Sequence, residues 1–113
     1  MTKFAKWAQQ VLDEYGEYCV FCGKPSGPPH HFFSRGDYPD LAWKKENGVP
    51  VCLPKCHNKI EYGYKMKSYQ HYRKKVIEKR GIEWYENLRT SLPEYKRPPK
   101  EFYQDNGIIK IIW

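Results

Sequence analysis

Apolar side chains near the N-terminus recur every three or four positions, which is the spacing of one face of an α-helix. They are Phe4, Trp7, Ala8, Val11, Leu12 and Tyr15. Gly16 follows as a stop, because glycine readily adopts the left-handed conformation that ends a helix. The pattern predicts a core-packed helix over residues 2–15.

Two short strands are expected in the next part of the chain. The glycine- and proline-rich turn KPSGPP precedes the run His30-His31-Phe32-Phe33, and a second apolar run covers residues 49–52. Pro54 suits the first turn of a helix, so residues 55–62 are expected to form a short helix. Two strands and a helix make a ββα hairpin unit.

The second half of the chain has a basic helical pattern. Residues 65–80 are expected to form a basic helix, which Gly81 interrupts before a shorter helix that runs through Leu88. LPEYKRPP is a linker, and the terminal GIIKIIW has strand propensity. The 113 residues suit one small α+β domain. Its expected parts are the helix 2–15, a core 17–62, a basic helical region 65–90 and a C-terminal extension 93–113.

Composition adds a strong positive charge, since 20 Lys and Arg against 13 Asp and Glu give a net charge of +7. This excess favours an anionic partner, DNA first, although a solvated basic surface without a partner is the alternative. The candidates for phosphate contacts are Arg35, Lys59, Arg73 and Lys74. The N-terminus lacks the apolar core of a signal peptide, and no apolar run approaches the ~18 residues of a membrane span. A cytoplasmic chain with reduced thiols and no membrane contact is therefore expected.

The four cysteines form two closely spaced pairs, Cys19-x2-Cys22 and Cys52-x3-Cys56. In a reducing compartment thiolates are better metal ligands than disulfide partners, so this spacing favours a structural zinc site over two disulfides and over partial or absent metal. A core this small also gains from a metal staple. The spacing predicts Zn²⁺ held by all four cysteines.

If the cysteines close one metal site, His30, His31, His57 and Asn47 are left for a second. Neighbouring strand residues point to opposite faces, so one of the paired histidines can bind a metal ion while the other contacts water. An imidazole with a pKa of about 6.5 is mostly free base at neutral pH and can accept a proton from attacking water. The alternative is a histidine-rich surface beside a zinc ribbon.

The order CxxC, His-His, Asn, then Cys…Cys-His resembles the HNH (ββα-metal) endonucleases that carry a four-cysteine zinc, and the resemblance covers about residues 17–62. It implies a treble-clef-like ββα-metal unit stapled by zinc and flanked by helices. The implied activity is phosphodiester hydrolysis in DNA with one divalent ion. The resemblance makes His30 and His57 ligands of the catalytic ion and His31 the general base. Asn47 would hold the hairpin loop and the orientation of His31.

The catalytic ion implied by the resemblance is Mg²⁺ or Mn²⁺, with Ni²⁺ as a further candidate, because imidazole ligands accept transition metals well. Glu61 lies one helical turn after His57, and both a third-ligand role and an exposed position without metal contact stay open. The acidic residues are too scattered to suggest a two-metal carboxylate cluster.

A looser similarity links residues 32–43, Phe-x-Ser-Arg-Gly-x-x-Pro-x-Leu-x-Trp, to the NinG/Rap recombination nucleases of phages. It departs at His57, where those proteins favour asparagine. The similarity implies a bacterial or phage-encoded enzyme that nicks DNA or acts on branched DNA. The alternative function is a zinc-stabilised DNA-binding module without catalysis. Monomer and homodimer both remain open.

Overall fold

The computed structural model describes residues 2–52 and 67–111. Within these ranges the chain forms three α-helices and two separate two-stranded antiparallel sheets, which confirms the α+β class. The predicted helix 55–62 lies outside the described residues. So do four residues with expected roles: Cys56, His57, Lys59 and Glu61.

Helix α1 spans Lys3–Tyr15 and is capped at both ends, with the stop at Gly16 as predicted. The Thr2 hydroxyl accepts a hydrogen bond of 3.1 Å from the Ala5 amide at the N-terminus. At the other end Gly16 has φ 92° and donates its amide to the Leu12 carbonyl. Only Trp7 and Val11 of the predicted apolar face are fully buried.

Strands β1 (His30–His31) and β2 (Gly48–Val49) pair antiparallel, with His31 opposite Gly48. Both are shorter than predicted, and β2 starts one residue earlier than expected. The ladder ends on one side because Asn47 takes up the next backbone amides, and on the other because Pro50 has no N–H to donate. The carbonyls of Pro50 and Val51 accept instead from the amides of Val20 and Gly27, on either side of the turn after the first cysteines.

Gly48 lets α1 lie directly on β2. A Cβ atom at this position would lie 2.2 Å from a methyl carbon of Val11 and 3.0 Å from the Trp7 ring. Real side chains do not approach so closely, so the contact between helix and strand requires glycine here.

Helices α2 (Lys67–Arg80) and α3 (Ile82–Thr90) follow, and Gly81 separates them at φ 93°, as predicted. Their buried side chains share one core with the aromatic residues after β1 and the apolar residues of the β1–β2 connection. The core includes Phe32, Phe33, Leu41, Val49, Val51, Tyr72, Val76, Ile77, Tyr85 and Leu88. In the described ranges no helix has both the length and the apolar character needed to cross a bilayer.

The C-terminal extension ends in a β-hairpin formed by β3 (Phe102–Asp105) and β4 (Ile108–Ile111). Asn106 and Gly107 have φ values of 52° and 78°, as a type I′ turn requires. The strand propensity of the tail is therefore confirmed, and its partner strand lies in the same chain. The preceding linker includes a 3₁₀ turn at Glu94–Lys96 and a buried Pro98.

Candidate metal centre and histidine site

Three cysteines lie close together at the hydrophobic core, which includes Cys19 and Cys52. The thiols of Cys19, Cys22 and Cys52 lie within 4.8 Å of one another, and the Sγ atoms of Cys22 and Cys52 are 3.5 Å apart. Zn–S bonds of about 2.3 Å in a tetrahedron separate two sulfurs by about 3.8 Å, so the spacing fits zinc. These three residues could hold a metal ion. The predicted fourth ligand, Cys56, lies outside the described residues.

A tight turn and a crossing segment bring the thiols together. The amide of Cys19 donates to the Lys24 carbonyl at 2.7 Å, and Gly23 closes the turn with φ 74°. Cys52 belongs to the segment that follows β2. The Val20 amide donates to the Pro50 carbonyl and holds this segment against the turn that carries Cys19 and Cys22.

The environment of Cys19 favours the thiolate, the form that binds metal. Burial raises the pKa of this thiol, but hydrogen bonds from the backbone of Cys22, Phe21 and Cys52 outweigh burial and lower the pKa to about 7. The Phe21 amide lies 3.4 Å from the sulfur. The donor set and its charge therefore suit a divalent cation.

The ring of His31 is held between α1 and the β1–β2 connection. It stacks on the Trp7 indole with a centroid distance of 4.2 Å and an interplanar angle of 6°. Its Nε2 lies 3.0 Å from the carbonyl oxygen of Ala42. Because a carbonyl only accepts, Nε2 carries the hydrogen and the neutral ring has its lone pair on Nδ1.

The surroundings also keep His31 neutral. Burial lowers the pKa of the imidazole, the bond to the Ala42 carbonyl partly opposes this shift, and the nearby charge of Arg35 lowers the pKa further. A neutral imidazole with a fixed tautomer is suited to accept a proton at one defined nitrogen.

The sequence does not reveal Trp7 as the main partner of His31, because the position of Trp7 on the apolar face of α1 predicts only a core residue. The indole N–H donates to the Lys44 carbonyl at 2.8 Å, which ties α1 to the connection between β1 and β2. Trp43 stands edge-on to both rings, with centroids 6.1 Å from each. No local sequence signal joins position 7 to position 31.

His30 faces the opposite helix. Its ring meets Tyr72 of α2 edge-on at 5.6 Å, and the Tyr72 hydroxyl lies 3.5 Å from Nδ1. The two histidines therefore contact different sides of the structure, as expected for neighbours on a strand. His57, the other predicted ligand of the catalytic ion, lies outside the described residues.

Asn47 is fully buried and binds the residues just after the histidines. Its Oδ1 accepts from the Phe33 amide at 2.7 Å, and its Nδ2 donates to the Phe33 carbonyl at 3.0 Å. Its own carbonyl accepts from the Phe32 amide at 2.8 Å. Asn47 therefore holds the backbone of the two residues that follow β1.

Of the four expected phosphate contacts, one is buried, two are exposed and one lies outside the described residues. The prediction for Arg73 is wrong, because its side chain is 1% exposed and paired with the buried carboxylate of Glu101. Arg35 is exposed and lies over the Trp43 ring, 4.7 Å from the centroid. Lys74 is also exposed, 4.0 Å from Glu78. Lys59 lies outside the described residues.

Comparison of the chain with protein-family models, with curated proteins and with solved structures finds no match in any of the three.

Proposed function

We propose that this protein is a metal-dependent DNA endonuclease of the HNH type, in which His31 is the general base. The observation that carries the proposal is the arrangement of His31, whose ring is stacked on Trp7 and whose Nε2 is engaged by the Ala42 carbonyl. A surface histidine without a role has no need of both restraints. Together they direct the basic nitrogen, Nδ1, in one direction.

In this proposal His31 accepts the proton of the attacking water at Nδ1, and Trp7 and Ala42 keep the ring from rotating. The ring stays aligned because Asn47 fixes the backbone that follows it at Phe33. Proton transfer to a well-placed base contributes about 10²- to 10⁴-fold to a rate.

His30 and His57 would hold the catalytic ion, Mg²⁺, Mn²⁺ or Ni²⁺. With Nδ1 of His30 directed at the Tyr72 hydroxyl, the ring would bind metal through Nε2, the common arrangement in which the second nitrogen is oriented by a hydrogen bond. A divalent ion bound there supplies charge stabilisation for the transition state and the leaving oxygen. The cysteines would hold a separate structural zinc.

The surface around Trp43 supports a nucleic-acid substrate. Arg35 and Lys3 both lie over the Trp43 ring, with charged groups 4.7 and 5.3 Å from its centroid. Trp43 in turn contacts the His31 ring. Two exposed cations are thus placed beside the proposed base, where a phosphate would have to lie, in a chain of net charge +7.

The test is cleavage of supercoiled plasmid DNA with Mg²⁺, Mn²⁺ or Ni²⁺, read as nicked or linear product. His31→Ala should lower the rate about 10²- to 10⁴-fold, because it removes the proton acceptor. His71→Ala is the matched control, since His71 is an exposed histidine on α2. It should cleave like wild type.

Two outcomes would reject the proposal. If His31→Ala cleaves DNA at the wild-type rate, His31 is not the general base. A wild-type protein that binds DNA but leaves it intact with every ion would be the zinc-stabilised binding module instead.

A further inference from the structure

A buried ion pair joins the C-terminal extension to the strand that carries the histidines. Arg73 on α2 forms two hydrogen bonds with the carboxylate of Glu101, and the two side chains are 1% and 6% exposed. Tyr85 on α3 donates its hydroxyl to the same carboxylate at 2.6 Å. Three segments that are distant in sequence therefore meet at one charge pair.

The pair also reaches the backbone next to His31. The Nη1 group of Arg73 donates to the Phe32 carbonyl at 2.6 Å, and its guanidinium lies 3.9 Å from the centroid of the Phe32 ring. Asn47 binds the Phe32 amide and both backbone groups of Phe33. All four backbone polar groups of these two residues are thus held, three by Asn47 and one by Arg73.

Stability alone is a weak reason for this arrangement. Desolvation of two charges is costly, and apolar side chains of similar volume often replace a buried ion pair without loss of stability. An apolar pair cannot donate to the Phe32 carbonyl. The bond from Arg73 to the backbone beside His31 is what the charged pair adds.

We propose that Arg73 and Glu101 are positioning residues for the histidine site, with Glu101 aligning the guanidinium and the guanidinium fixing the backbone after His31. The C-terminal extension then completes the site, although it lies far from the histidines in sequence. The catalytic consequence rests on the proposed nuclease function, whereas the positioning itself is a property of the free protein. Burial and the Glu101 carboxylate both raise the pKa of Tyr85, so its hydroxyl stays protonated and keeps donating to the pair.

The test is the double substitution Arg73→Met/Glu101→Leu, which replaces the charges with apolar groups of similar size. We expect it to fold, with a melting temperature close to wild type. Hydrogen exchange followed by NMR should show the Phe32 and Phe33 amides exchanging roughly ten- to a hundredfold faster, beyond any change in the α1 amides. A purely structural pair would change all of these amides together.

The catalytic readout separates kcat from KM. Displacement of a catalytic group by about 1 Å can lower a rate by about 10²-fold, so kcat should fall by that order while KM stays near wild type. Arg89→Met is the matched control, because Arg89 donates to the Pro98 carbonyl of the same extension at 2.7 Å. Its Phe32 and Phe33 amides and its kcat should match wild type.

The outcomes are distinguishable from those of the nuclease test. Unchanged exchange at Phe32 and Phe33 overturns the positioning role, whatever the protein cleaves. If the double variant shows the selective increase but the wild-type protein has no nuclease activity, the positioning is upheld and the proposed function is rejected. Should the double variant not fold, Glu101→Gln keeps the shape of the side chain and removes only its charge. The same selective increase is expected there, and its absence overturns the inference.

Discussion

At the scale of single residues, Asn47 shows how one amide side chain replaces a length of sheet. Its two polar atoms bind both backbone groups of Phe33, so the chain can leave β1 without losing hydrogen bonds. An asparagine side chain has a donor and an acceptor side by side, which matches a backbone amide and carbonyl. His30 and His31, which precede Phe33, therefore lie on a short strand whose end is held in place.

Asn47→Ala should destabilise the protein by about 2–4 kcal/mol, because two buried backbone groups of Phe33 lose their partner. The measurement is the free energy of unfolding in urea. Asn87→Ala is the control, since Asn87 is an exposed asparagine on α3 and its loss should cost under about 1 kcal/mol. Equal effects of the two substitutions would contradict this role for Asn47.

At the scale of elements, the sequence predicts the helices best because local signals define them. Apolar spacing, Thr2 and Gly16 delimit α1, and Gly81 divides α2 from α3. The Asn106-Gly107 turn of the last hairpin also has a clear local signal, an Asn-Gly pair between strand-prone runs. These features depend on neighbours along the chain.

Contacts between distant positions are harder to predict. Arg73 sits in a basic run and was expected at the surface, yet a carboxylate 28 positions later pairs with it inside the core. The stack of Trp7 on His31 has the same character. Local spacing gives the face of a helix on which a residue lies, but the partner depends on how the helices and loops assemble.

The hairpin of β3 and β4 should contribute to stability within one chain. Deleting residues 107–113 removes β4 and leaves β3 without its partner, so the melting temperature should fall at every protein concentration. Lys110→Ala keeps the strand and is the control. A truncated protein that melts like wild type but changes from dimer to monomer in sedimentation would show that the strand serves an interface between two chains.

At the scale of the whole molecule, stability should depend on metal as well as on the apolar core. Three cysteines from two segments of the chain lie together, and a small core gains much from such a cross-link. The metal site also lies in the same part of the chain as the histidines, since Val51 and Cys52 continue directly from β2. Loss of metal would therefore disturb the proposed active site.

Cys19→Ser or Cys52→Ser should unfold the protein or lower its melting temperature strongly, because structural zinc contributes of the order of 10 kcal/mol to folding. Protein purified without chelator should contain tightly bound zinc by elemental analysis. Ser26→Ala changes a nearby polar residue that is not a thiol and should retain the zinc. Zinc-free wild-type protein with full stability would contradict the prediction.

The close approach of α1 to Gly48 limits the order in which substitutions can accumulate in this protein. Ala at position 48 would collide with Val11, so Gly48→Ala alone should cost about 1–3 kcal/mol and displace Trp7 from His31. Val11→Ala opens space at the same point, and the double variant should be more stable than the sum of the two single effects predicts. Additive effects in urea unfolding would show that the helix can shift freely. Otherwise a sequence with a larger residue at 48 is reached most easily through a smaller one at 11, and the two positions should vary together.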